Sequence, residues 1–212
     1  MGVRHVRQAP GGVALPQVLA ALQPGLRMVA VLRNPVDRLY SAFYYYGHYA
    51  ARFGANADGF HKYVQTQLDT FAGCTAGRHE CAIEGYGRVE QLVKGMYAMF
   101  LPDYFAAFPR EQLLVLRSEA YSDDISIGLR AAMTHVGLDD PPPAVWERMV
   151  GGKRSNSRQG NGAGRGGDAG DMRADTRAML TAFYRSYNEE LATLLDDNSF
   201  LLWHTEEPPA RR

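Results

Sequence analysis

The sequence predicts a three-layer α/β fold in which helices flank a parallel sheet. Two short apolar runs, Met28–Leu32 (MVAVL) and residues 113–116 (LLVL), are typical of strands buried on both faces of such a sheet. Longer segments with apolar residues at helical spacing separate and follow these runs. At 212 residues and 46% hydrophobic composition, the chain is long enough to bury a substantial core.

Apolar periodicity and terminal capping or breaking residues predict the helices in chain order. The predicted helices cover Leu15–Leu22, a segment that begins at Pro35, and residues 60–71, 89–101, 102–108, 127–136 and 173–196. We predict a loose segment and a short helix over residues 1–25, a single domain over 26–204 and a tail over 205–212. Within that domain, residues 151–170 are predicted to form a flexible, Gly-rich basic loop.

The sequence of residues 32–46, LRNPVDRLYSAFYYY, predicts an anion site. The apolar run ends at Arg33, Asn34 is a good N-cap, and Pro35 suits the first helical position. Free N–H groups and the positive end of the helix dipole favour an anion there. Arg33 can add a two-pronged contact and Ser41 a hydroxyl. The alternative is an ordinary strand-to-helix junction with a solvated arginine and a helical serine.

Charge and hydropathy exclude some classes of protein. The chain has 23 basic and 23 acidic residues, so its composition does not indicate a nucleic-acid-binding protein. No apolar run approaches the length of a membrane span, and we therefore predict no membrane segment in this chain.

Two cysteines, Cys74 and Cys81, lie close together in CTAGRHEC. The short loop between them can close as a disulfide, which would indicate an oxidising compartment. Two free thiols are the alternative, and a metal site that recruits His79 is a third. Three close ligands without a fourth make poor zinc spacing. We favour the disulfide and predict no metal.

Several segments, in order, resemble carbohydrate sulfotransferases, in particular the N-acetylgalactosamine 4-sulfate 6-O-sulfotransferase group. The matching stretches are VAVLRNPVDRLYSAF, FHKYV, the cysteine pair, GMYAMFLPDYFAAFPREQLLVLRSEAYSDD and MRADTRAMLTAFYRSYNEELATLLDDNSFLLW. They cover most of the chain from about residue 26 onward. The resemblance implies a sulfotransferase fold related to P-loop nucleotide kinases, with a nucleotide site at the carboxyl edge of the sheet.

The resemblance also implies an activity and a location. Family members transfer a sulfuryl group from 3'-phosphoadenosine 5'-phosphosulfate (PAPS), used as co-substrate, to a hydroxyl of a glycosaminoglycan-like glycan in the Golgi lumen. Arg33 and Ser41 match the pair that holds the 3'-phosphate of the donor. Lys153 and Arg154 occupy the place of a late loop that covers the donor nucleotide. The alternative for this loop is a solvated linker with incidental charge.

The chain departs from the family in its first strand and the loop that follows it. A Lys-Ser/Gly-Gly-Thr-Thr turn, which cradles the 5'-phosphosulfate in the family, does not occur in the sequence. No Asp or Glu precedes Asp37, and His5 has no matching context, so we assign no catalytic base. We expect the first strand and its loop to be missing from this chain.

Three functional hypotheses follow from these departures. The chain is a piece of a PAPS-dependent sulfotransferase, a catalytically inactive relative that binds only nucleotide or glycan, or a structural domain that keeps the scaffold. Whether it is an enzyme stays open at this point, because a fold does not establish an activity.

Overall fold

The computed structural model describes residues 14–74, 81, 86–151 and 171–205. In chain order, the elements are α1 (Leu15–Leu22), β1 (Met28–Leu32), α2 (Pro35–Tyr45), α3 (His48–Phe53), α4 (Ala57–Ala72), α5 (Tyr86–Val93), α6 (Leu101–Ala107), β2 (Leu113–Arg117), α7 (Ser118–Asp123), α8 (Ile125–Val136), α9 (Pro143–Val150) and α10 (Ala174–Leu195). Short 3-10 turns cover Tyr97–Met99, Arg110–Gln112 and Asn198–His204.

The described residues form two compact units. The strand unit contains residues 15–33 and 103–151, and the helical unit contains residues 14, 34–74, 81, 86–102 and 171–205. The boundary between them in the chain falls between Arg33 and Asn34 and again inside α6. The single domain expected over residues 26–204 stays a prediction.

The strand unit is organised by a parallel pair of strands. β1 pairs with β2 in a register that sets Met28 beside Leu113 and Leu32 beside Arg117. Helix α8 contacts both strands. It begins where the Asp124 carboxylate accepts hydrogen bonds from two backbone N–H groups, and it ends at Gly137, whose φ of 79° is left-handed. The predicted parallel strands are therefore present.

The helical unit has an aromatic core. Helices α2, α4 and α10 bury Phe43, Phe60, Tyr63 and Tyr184 almost completely. The Phe43 ring lies 5.3 Å from that of Phe60 and 5.2 Å from that of Tyr63, in edge-on or tilted geometry. Aromatic pairs in such geometries stabilise a core beyond the area that they bury.

The predicted disulfide is confirmed. Cys74, just after α4, is bonded to the buried Cys81, and their Cα atoms are 5.7 Å apart. The bond closes a loop of the helical unit, since both residues belong to it. It restricts the unfolded chain and so favours the folded state.

The expectation that β1 is buried on both faces is wrong. Val29 and Val31 are 37% and 51% exposed, while the residues between and beside them are half-buried. In the part of the chain that the structure describes, the sheet has two strands. One face of β1 is therefore left accessible to solvent.

The single helix predicted over residues 89–101 is also wrong. Helix α5 ends at Val93, the chain turns at Gly95, and a 3-10 turn follows at Tyr97–Met99. A Cβ atom on Gly95 would lie 2.8 Å from the Tyr184 ring and 2.9 Å from Cβ of Pro35. The chain thus approaches the core too closely at this point for a residue larger than glycine.

Three short helices, α3, α7 and α9, were not predicted. Helix α3 follows Gly47, whose φ of 49° allows a sharp turn after α2. Helix α9 has Pro143 in its first turn. Proline suits the first turn of a helix because that turn has no internal partner for its N–H.

The exposed face of β1 should promote self-association. We expect the wild-type chain to scatter light on heating and to melt irreversibly, because exposed apolar surface associates with other chains. Val31→Thr should reduce scattering while changing the free energy of unfolding by less than about 0.5 kcal/mol. Leu202→Ser, at an equally exposed position in the helical unit, is the control and should leave scattering unchanged. A reversible melt of a concentrated wild-type monomer would contradict this expectation.

Gly95→Ala should destabilise the helical unit by about 1–3 kcal/mol, because the added methyl group overlaps Tyr184 and Pro35. Urea unfolding followed by tyrosine fluorescence measures the change. Gly87→Ala, in α5, is the matched control, since its Cβ atom would meet no atom within 4 Å. It should be neutral or stabilising by up to about 1 kcal/mol. Equal effects of both substitutions would exclude the close approach as the cause.

Candidate functional site

Helix α2 begins where the sequence predicts. Asn34 is an N-cap, and its side-chain oxygen accepts a hydrogen bond from the backbone N–H of Val36 at 3.0 Å. Pro35 occupies the first turn, where its missing N–H has no consequence. Asn34 and Pro35 are both buried, so this helix end is well anchored.

The two residues expected to bind the donor phosphate fall in different units. Arg33 directly follows β1 and is exposed in the strand unit. Ser41 is half-buried on α2, in the second turn of that helix, in the helical unit. Their joint action on one phosphate stays a prediction, as does the contribution of Lys153 and Arg154, which lie outside the described residues.

Asp37, in the first turn of α2, is paired with Arg177 of α10. The Arg177 guanidinium donates to the Asp37 carboxylate at 2.7 Å, and the two side chains are only 20% and 13% exposed. A bare carboxylate here would repel an anion from the helix N-terminus. The pair therefore offsets that charge and ties α2 to α10. The sequence gives no signal for it, because 140 positions separate the two residues.

The side chain of Arg38 has a structural role, because it bonds residues of other helices. Its guanidinium donates to the backbone carbonyl of Gln91, and to the Gln91 side-chain oxygen at 3.2 Å. Tyr184, on α10, also hydrogen-bonds Arg38 and donates to the carbonyl of Leu92 at 2.7 Å. Burial raises the pKa of Tyr184 well above its usual range, so the hydroxyl stays a donor. Arg38 thus joins α2 to α5 and α10.

A polar cluster holds the start of α10 against the start of α4. Arg173 bonds the carboxylates of Asp58 at 2.8 Å and of Asp175, and His61 shares a hydrogen bond of 2.6 Å with Thr176. The hydrogen bond from Arg173 is the main reason why the pKa of Asp175 is lowered to about 2. The cluster thus joins two helices of the helical unit, α4 and α10.

Within the described ranges, no three His, Cys, Asp or Glu side chains are grouped in a way that could hold a metal ion. Among the helices of these ranges, none has the length and apolarity that a membrane crossing requires.

The fold matches that of a sulfotransferase. The crystal structure of a sulfotransferase from Alicyclobacillus acidocaldarius superposes with a TM-score of 0.51, over 88% of this chain and 62% of that chain, at 18% sequence identity. At this identity the match concerns the fold alone. It confirms the predicted α/β sulfotransferase fold class, with helices around a parallel sheet.

Sequence comparison identifies particular relatives. The chain is 29% identical over 190 residues to human carbohydrate sulfotransferase 15, a match that covers 87% of this chain and 32% of that protein. It is 26% identical over 193 residues to human bifunctional heparan sulfate N-deacetylase/N-sulfotransferase 1, covering 85% of this chain and 20% of that protein. No protein-family model matches the chain. The resemblance to carbohydrate sulfotransferases is confirmed, and the chain spans about a third or less of the length of these relatives.

The Asp37–Arg177 pair should stabilise the fold measurably. We expect Arg177→Met to cost about 1–3 kcal/mol of unfolding free energy, between the values for exposed and fully buried pairs, because it leaves a shielded carboxylate unpaired. Adding Asp37→Asn should recover part of that loss in a double-mutant cycle.

The matched control is the exposed Arg130–Asp140 pair, whose side chains are both more than half exposed. The same cycle there should give a coupling below about 1 kcal/mol. Equal coupling energies for the two pairs would show that shielding from water does not strengthen the Asp37–Arg177 contact.

Proposed function

We propose that this chain is the donor-binding part of a sulfotransferase that transfers a sulfuryl group from PAPS to a hydroxyl of a glycosaminoglycan-like glycan. The observation that carries the proposal is the strand–cap–helix motif of residues 28–45, with Arg33 at the strand end and Ser41 on the helix. Similarity to two kinds of carbohydrate-acting sulfotransferase supports the same activity.

The proposed task of this motif is to anchor the donor. Sulfuryl transfer resembles phosphoryl transfer, an in-line displacement in which the protein mainly positions charged groups. Arg33 provides a bidentate cation, and the capped N-terminus of α2 provides N–H donors. Ser41 provides a hydroxyl. These groups would hold the 3'-phosphate, at the end of the donor away from the reacting sulfate, and Lys153 and Arg154 would cover the nucleotide.

Transfer also needs a base that accepts the proton of the sugar hydroxyl and a cation that stabilises the leaving nucleotide phosphate. We assign neither to a residue of this chain. The absence of the Lys-Ser/Gly-Gly-Thr-Thr sequence favours a second candidate, a protein that binds nucleotide or glycan without turnover. Loss of one preorganised donor at a developing charge lowers a rate by roughly a hundred- to a thousand-fold.

We also propose the Golgi lumen as the location of the protein, because carbohydrate sulfotransferases modify secreted glycans there. The disulfide between Cys74 and Cys81 supports an oxidising compartment.

Calorimetric titration with 3'-phosphoadenosine 5'-phosphate tests the donor site. We expect binding by the wild-type chain and a loss of about 2–4 kcal/mol in Arg33→Ala, the usual range for removing a partner of a paired phosphate. Ser41→Ala should lose about 1 kcal/mol.

Two controls sharpen the titration. Adenosine 5'-phosphate lacks the 3'-phosphate and should bind more weakly, with no sensitivity to Arg33→Ala. Arg148→Ala removes another exposed arginine of the strand unit and should leave both affinities unchanged. A folded wild-type chain that does not bind the bisphosphate, or an Arg33→Ala variant that binds it normally, would overturn the proposed donor site.

A further inference from the structure

Four aromatic rings form a continuous surface of the helical unit where α2 passes into α3. We call this set, Tyr45, Tyr46, His48 and Tyr49, the aromatic platform. Tyr45 and Tyr46 stack edge to face at 5.2 Å, Tyr46 lies 6.2 Å from both His48 and Tyr49, and the last two rings are 4.0 Å apart. Each ring therefore touches a neighbour in the set.

The outer rings of the platform face solvent. Tyr45 is 73% exposed and Tyr46 43% exposed, and His48 is also exposed. Large aromatic side chains usually bury most of their surface, so contiguous exposure of three such rings is a feature of binding surfaces. Tyr45, Tyr46 and His48 lie outside the core cluster of the unit, and only Tyr49 packs against it.

The platform is anchored to the core of its unit through Tyr49. Tyr49 is half-buried, packs 5.0 Å from the core residue Tyr63 and hydrogen-bonds Gln91. Gly47 adopts φ of 49° between the helices, a conformation that favours glycine, and this turn sets the rings on either side of it close together. A rigid aromatic surface loses little conformational entropy when a ligand binds.

The charge around the platform suits an anionic ligand. Residues 42–53 include His48 and Arg52 and contain no carboxylate. Three carboxylates elsewhere in the unit are paired with cations: Asp37 with Arg177, Asp58 with Arg173 and Glu90 with Lys94. Arg52 is exposed and lies over the Phe53 ring at 5.2 Å, so its orientation is partly set.

We propose that the aromatic platform, with His48 and Arg52, binds an acidic oligosaccharide through stacking on Tyr45 and Tyr46 and charge pairing at its edge. The C–H groups on one face of a pyranose ring carry partial positive charge and lie favourably on the negative face of an aromatic ring. Sulfate or carboxylate groups of the sugar pair with the guanidinium of Arg52. A flat aromatic surface without a cation would select neutral sugars instead.

The identity of the sugar chain as a glycosaminoglycan rests on the proposed function. Ser41 and Tyr45 are four residues apart on α2, so they lie on one side of the helix about 6 Å apart along its axis. A glycan on the platform would thus lie beside the proposed anchor of the donor, away from the reacting sulfate. The platform holds a part of the acceptor chain that is distant from the reacting hydroxyl. Contacts at the platform therefore strengthen binding of the acceptor.

Direct binding of a chondroitin sulfate octasaccharide in the absence of nucleotide tests the platform. Measured by biolayer interferometry on the whole chain, Tyr45→Ala and Tyr46→Ala should each weaken binding about three- to tenfold. Tyr45→Phe should bind as wild type, because it keeps the ring. Arg52→Gln should weaken binding and make it less sensitive to salt.

Matched controls separate stacking from charge and from folding. Leu202→Ala removes another exposed apolar side chain of the helical unit and Lys62→Gln removes another exposed cation, and both should bind as wild type. Poly(vinyl sulfate), a polyanion without sugar rings, should respond to Arg52→Gln and not to Tyr45→Ala. Circular dichroism should be the same for all variants, since Tyr45 lies largely outside the core.

The outcomes distinguish the platform from the donor site. Wild-type affinity for the octasaccharide in Tyr45→Ala and Tyr46→Ala, or an equal loss in Leu202→Ala, would overturn the platform. A chain that binds 3'-phosphoadenosine 5'-phosphate but not the octasaccharide would overturn the platform and leave the proposed donor site intact. A chain that binds the octasaccharide through Tyr45 and Tyr46 but not the nucleotide would support the platform and overturn the donor site.

Discussion

The helical unit depends on the buried face of α2. Val36, Leu39 and Phe43 on that face are almost completely shielded from water, and burial of such side chains is the main favourable term in folding. The same helix carries the N-cap Asn34, the half-buried Ser41 and the exposed Tyr45 on its other sides. A shift of α2 in the core would therefore move every candidate binding group that it carries.

Polar contacts set the position of α2 more finely than apolar packing can. Arg177 bonds Asp37 at one end of the helix, and Arg38 bonds the backbone at Gln91. Burial of a paired charge is costly unless its hydrogen bonds are made, so such contacts tolerate little displacement. Because Asp37 and Arg38 already have partners, neither charge competes with a ligand for its contacts. In this arrangement Arg33, at the strand end, is the arginine of the motif that the proposed function uses.

The proposed donor and acceptor surfaces differ in physical character. The donor motif relies on a helix N-terminus, a guanidinium and a hydroxyl, groups that suit a compact phosphate. The aromatic platform relies on flat rings and a peripheral cation, which suit an extended acidic sugar chain. Two ligands with these properties are the ones that a glycan sulfotransferase brings together. The Lys-Ser/Gly-Gly-Thr-Thr sequence does not occur in this chain, and the catalytic groups of such an enzyme are assigned to none of its residues.

Short-range sequence patterns determined several structural elements of this protein. The strand at Met28–Leu32, the cap at Asn34, the start of α2 and the Cys74–Cys81 disulfide follow from short-range patterns, because capping, helical periodicity and loop closure act over a few residues. Other features depend on contacts between residues that are distant in the sequence. The ring of Tyr184 leaves no room for a side chain at Gly95, and the partner of Asp37 lies 140 positions away. The exposure of Val29 and Val31 depends on which elements cover β1, and hydropathy along the chain does not record that.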